Sequence, residues 1–203
     1  MQTFKYVCKG NHQPNKLNAL KRLKISLMKT IEIQLFKFDE LSDKAKEKAL
    51  TEYYDWNVNF DWWDSVYYDA KNVGITINGF DIDRGNYCKI EFKYDEKDIC
   101  QKIIMEHGEN CETHKIATKF LSDYDELVKK YSDGIKTNIV AEDNEEDFDN
   151  EIIELETELH HELSEEYLSI LRKEYEYLTS EEAIAETLEA NEIEFTIEGE
   201  IYN

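Results

Sequence analysis

Three side chains with metal-ligating character fall within eight residues, His107-Gly-Glu-Asn-Cys111-Glu-Thr-His114. Cys111 and His114 are three apart, so a helix carrying both puts them on one face, with His107 arriving from the end of a preceding helix. Zinc accepts such a set, but a structural zinc site needs four ligands and shows two close pairs. The fourth here would come from Cys88 or Cys100, neither of which forms a CxxC pair. Ordinary helix-boundary residues account for the stretch more simply, and no metal or other cofactor is expected. A metal-binding regulatory protein using His107, Cys111 and His114 is kept as an alternative function.

Two other patterns are weaker. Glu158-Leu-His-His161 offers one Glu-x-x-His, whereas di-iron bundles use two such motifs and two further Glu, so a solvated helix face is the simpler reading. Asp81, Asp83 and Asn86 suggest a calcium loop. Gly85 stands at a ligand position and no bidentate Glu follows at the required spacing, so the segment reads as a turn. A nucleophile elbow, an HExxH helix and a phosphate loop are all absent, and the chain has only seven Gly. The sequence reads as a protein that is not an enzyme.

What remains is recognition by charge. The 203 residues include 46 Asp and Glu against 24 Lys and Arg, a formal net charge of −22. Residues 1–30 hold seven basic and no acidic residues, and residues 31–140 hold 15 basic and 23 acidic. Residues 141–203 hold 23 acidic residues against Arg172 and Lys173 alone, far beyond the net charge of about 2–8 that keeps a small domain in solution. A field of this sign repels nucleic acid and anionic membranes and steers basic proteins inward. The expected contact set begins with Glu142, Asp143, Glu145, Glu146, Asp147 and Asp149. It continues along a helix with Glu154, Glu158, Glu162, Glu165 and Glu166, in rows at ~1.5 Å rise per residue that approximate the phosphate spacing a basic cleft accepts.

Aromatic density is the second recognition feature. Tyr53, Tyr54, Trp56, Phe60, Trp62, Trp63, Tyr67 and Tyr68 fall within sixteen residues. Half or more of these belong to a core. Adjacent Trp62 and Trp63 point about 100° apart on a helix and cannot share one narrow stripe, so they are the expected anchors for a partner.

The elements that position these residues follow from periodicity. Ile31, Ile33 and Leu35 alternate as a strand, and Ser42 caps a helix carrying Ala45, Ala49, Leu50 and Tyr53. A second helix is expected over 61–72, ended by Gly74, then strands 75–82 and 87–94 joined by Asp83-Arg84-Gly85-Asn86. Helices over 96–107 and 112–131 follow, closed by Ser132-Asp133-Gly134. Residues 141–150 have no firm period. From Phe148 the apolar positions Ile152, Leu155, Leu159, Leu163, Tyr167, Ile170 or Leu171, and Leu178 step by three and four, which predicts one long amphipathic helix. Thr179-Ser180-Glu181-Glu182 starts another, Asn191 ends it, and Ile193, Phe195 and Ile197 alternate as a final strand. The expected fold is α+β: one small antiparallel sheet gathering 31–38, 75–94 and 193–201, packed with several helices including the long Glu-rich one near the C-terminus.

The domain expectation is a single α+β domain over 28–203, its strongly acidic part 141–203, preceded by a loose basic extension over 1–27. Met28 opens a phrase that reads like a protein start. Four cysteines without a secretory signal fit a reduced, cytoplasmic setting, and no apolar run reaches the ~18 residues that cross a bilayer.

Leu41-Ser-Asp-Lys-Ala-Lys-Glu-Lys-Ala49, Asp61-Trp-Trp-Asp64, Gly79-Phe-Asp-Ile-Asp-Arg-Gly85 and Tyr175-Glu-Tyr-Leu-Thr-Ser-Glu-Glu-Ala183 resemble a family of acidic phage and prophage proteins, many carrying an antitoxin-like label. The resemblance covers about residues 31–203 and leaves out the basic start. It implies a mobile-element setting in a bacterial host and a protein that disarms a host system, as anti-CRISPR inhibitors do by blocking the basic channel of a nuclease or ribonucleoprotein effector. It brings no residue roles. An acidic phage assembly factor is the remaining alternative.

Overall fold

The helix starts are written in capping residues, and the computed structural model shows them in use. It describes residues 3–4, 32–136 and 143–202; of 3–4, 133–136 and 143–145 the backbone alone is described. The rest of the basic extension, Ile31 and Glu142 lie outside the described residues. The protein is α+β, and it divides into two compact units, Met1–Asn57 with Thr179–Asn203, and Val58–Leu178, where the sequence reads as one domain from residue 28.

In the first unit, β1 (Thr3–Phe4) pairs antiparallel with β2 (Ile33–Gln34). Ser42 caps α1 (Asp43–Glu52) by accepting from the N–H of Ala45, and Ser180 caps α6 (Glu181–Ala190) by accepting from the N–H of Ala183. Each cap satisfies a donor that the first helical turn leaves orphaned. Phe38, Leu41, Ala45 and Ala49 pack with Ile184, Leu188 and Phe195 as this unit's core. The final strand expected over 193–197 reduces to bridges from Phe195 to Phe36 and to Ile201. Ile197 is exposed, and the chain doubles back at Gly199 (φ +83°) before a strand can lengthen.

In the second unit, α2 runs Asp64–Asn72, three residues later than expected. The chain turns first, with the Asp64 N–H donating to the Asp61 carbonyl at 3.2 Å, and this swings Trp62 into the core. Gly74 (φ +89°) stops the helix, and a Cβ there would lie 2.7 Å from the Tyr94 ring. Antiparallel β3 (Ile75–Asp81) and β4 (Tyr87–Phe92) form a sheet of two strands, with a register irregularity at Ile77/Gly79. The segments expected to share one sheet therefore form two.

Three helices complete this unit: α3 (Glu96–Glu106), capped by the Asp95 carboxylate, α4 (Glu112–Lys136) and α5 (Asp143–Leu178). The α4 backbone runs straight through Ser132-Asp133-Gly134, where a stop was expected. A single interior Gly costs a helix only about 1 kcal/mol, which packing along a long neighbour offsets. Helix α5 likewise begins before Phe148, taking in acidic residues that show no period. Its seam of Leu159, Leu163, Tyr167, Leu168 and Leu171 is buried with Ile99 and Ile103 of α3 and Ala117 and Phe120 of α4. Each such side chain contributes ~1.5–3 kcal/mol by leaving water.

Candidate functional site

With its apolar seam fixed, α5 has its other faces determined by 100° steps. Asp147, Glu154, Glu158 and Glu165 fall within a stripe about 40° wide and ~27 Å long, and all four are exposed. Glu146 and Asp149 are also exposed nearby. The backbone of Asp143 and Glu145 belongs to the same helix, but their side chains are not among those described. Glu162 and Glu166 are part-buried and lie to one side of the stripe.

Helix α4 neutralises that side. Lys119 donates to Glu158 at 3.0 Å and to Glu162 at 2.9 Å, and the two carboxylates raise its pKa, Glu162 foremost. Lys130 pairs with Glu151 at 2.8 Å, and the Tyr131 hydroxyl donates to the same carboxylate. The Glu151 carboxyl is thereby held below its ordinary value. Exposed pairs of this kind are worth about 0–1 kcal/mol each, so they yield readily to a stronger cationic partner.

The tryptophans do not serve as exposed anchors. Trp62 is 8% exposed, its ring centroid 5.6 Å from those of Trp63 and Phe80 and 5.4 Å from Tyr175. Trp63 is half-buried against Phe80 at 5.6 Å. The two do diverge, but the turn before α2 sends both toward Phe80. Of the aromatic residues between 53 and 68, the exposed rings are Tyr54 and Trp56 in the first unit, and Phe60 and Tyr68 in the second.

The His107–His114 stretch is likewise pulled apart. The His107 ring points inward, with Nδ1 2.7 Å from Oγ1 of Thr113 and Nε2 3.5 Å from Oδ1 of Asp69. Cys111 is exposed, and His114 Nδ1 lies 3.4 Å from the Thr118 hydroxyl. Cys88 and Cys100 are buried elsewhere in the core, and burial pushes their thiols up to about 11 and about 12. Among the described residues no three His, Cys, Asp or Glu side chains gather around a metal-sized space.

What His107 joins instead is a polar cluster from four elements: Asp69 of α2, His107 after α3, Thr113 of α4 and Tyr167 of α5. Tyr167 is fully buried, and neither its hydroxyl nor Nε2 of His107 makes a hydrogen bond of ordinary geometry among the described residues, although the Asp69 carboxylate lies near both. Burial, with the Asp69 carboxylate second, pushes its phenol far up. Acid, imidazole and hydroxyl follow one another here as in a proton relay. Thr113 is only 2% exposed, so no substrate reaches that hydroxyl, and the cluster orients helices. The sequence carried no signal for it, because Asp69, Thr113 and Tyr167 share no motif with His107.

The remaining candidates resolve locally. His160 stacks on Phe92 with centroids 3.8 Å apart and lies 3.5 Å from Glu96. Asp81 accepts the N–H groups of Asp83, Arg84 and Gly85 at 2.9–3.0 Å, which pins the hairpin turn and lowers its carboxyl pKa. No helix among the described residues is long and apolar enough to cross a membrane. The chain matches no protein-family model, no curated protein and no solved structure.

Proposed function

We propose that this chain is a binding protein of the phage inhibitor type, whose α5 carboxylates occupy the basic nucleic-acid channel of a host nuclease or ribonucleoprotein effector. The observation that carries the reading is the exposed stripe Asp147, Glu154, Glu158 and Glu165, on a unit holding 31 acidic against 13 basic residues. Such a rod of charge matches a groove built for a phosphate backbone, steers encounter at long range and resists binding nucleic acid itself. The anti-defence role, in the manner of anti-CRISPR or antitoxin-like proteins, rests on the resemblance of the quoted motifs.

The test has two steps. A partner captured from bacterial lysate is purified, and its affinity is measured across a salt series for the wild type and for the triple variant E154Q/E158Q/E165Q. The reading expects affinity to fall steeply with salt, the variant to bind at least ten-fold more weakly, and RNA or DNA to compete. Affinity that ignores both salt and the triple variant overturns it.

A further inference from the structure

We draw no further inference here: the strongest candidate, the buried side-chain cluster of Asp69, His107, Thr113 and Tyr167 where α2 and the end of α3 meet α4 and α5, carries nothing because the Asp69 carboxylate already lies beside both the His107 ring and the Tyr167 hydroxyl, so that the cluster is accounted for by the helix contacts described above without a ligand.

Discussion

The carboxylate of Asp69 and the imidazole of His107 approach to 3.5 Å, tying α2 to the end of α3, while the other ring nitrogen bonds Thr113 at the start of α4. The His107 side chain is only 9% exposed, so removing it strands the Thr113 hydroxyl and opens a small cavity. His107→Ala is expected to cost about 2 kcal/mol and Thr113→Val about 1 kcal/mol in urea unfolding. Tyr167→Phe deletes a hydroxyl that makes no hydrogen bond of ordinary geometry, with only the Asp69 carboxylate nearby, and the same measurement is expected to show no loss or a gain of up to about 1 kcal/mol.

Two carboxylates work against the fold at neutral pH. Burial holds the Glu166 carboxyl above its ordinary value of 4.5, with Lys173 opposing and Glu112 adding to the shift. Burial does the same to Glu156, reinforced by Glu96 and Asp95. An acid whose folded-state pKa exceeds its unfolded value binds its proton more tightly when folded, so stability declines as pH rises from about 4.5 through the folded value. Glu156→Gln and Glu166→Gln are therefore expected to melt at higher temperature than wild type at pH 7 and to show no advantage at pH 4.

The thiols give a count that unfolding changes. With Cys8 replaced by Ser, a thiol reagent at pH 8 is expected to modify one cysteine rapidly, the exposed Cys111. Cys88 and Cys100 are shielded, and their pKa values of about 11 and about 12 keep thiolate scarce. In denaturant all three should react. Fast modification of more than one thiol in the native protein would contradict the packing around α5.

Gly199 packs directly against α1 in the first unit. Its φ of +83° disfavours any L side chain, and a Cβ there would run into the backbone carbonyl of Ala45 in α1. Gly199→Ala is expected to destabilise this unit by about 2 kcal/mol or more in denaturant unfolding, while Gly108→Ala, which meets open space, stays near neutral.

What the sequence made legible was local. Ser42 and Ser180 announce helix starts because a cap needs only its own next three residues, and the seam of α5 follows from spacing alone. The errors arose where distant residues decide. Trp62 reads as exposed until the turn at Asp61 aims it at Phe80 and Tyr175. Gly134 reads as a stop until α4 is seen to run through it. His107 reads as an ordinary helix-boundary residue because Thr113, which bonds its Nδ1, and Asp69, 3.5 Å from its Nε2, carry no spacing signal. Of the acidic site, the stripe was legible, but its neutralisation by Lys119 and Lys130 was not, since those lysines reach it only once α4 lies beside α5.

Phe36 and Phe195 exchange two backbone hydrogen bonds of 2.9 Å across the whole intervening Val58–Leu178 unit. On the ribosome this sets an order. At about 5–20 residues per second, the second unit emerges entire while Phe36, Phe38 and Leu41 still wait, on the order of ten seconds, for the residues that cover them. A chain stopped after Leu178 keeps every residue of one unit and loses three of the seven buried residues of the other's core, Ile184, Leu188 and Phe195. The codons for residues 179–203 thus decide whether Phe38 and Leu41 are sheltered or left for chaperones and proteases to find.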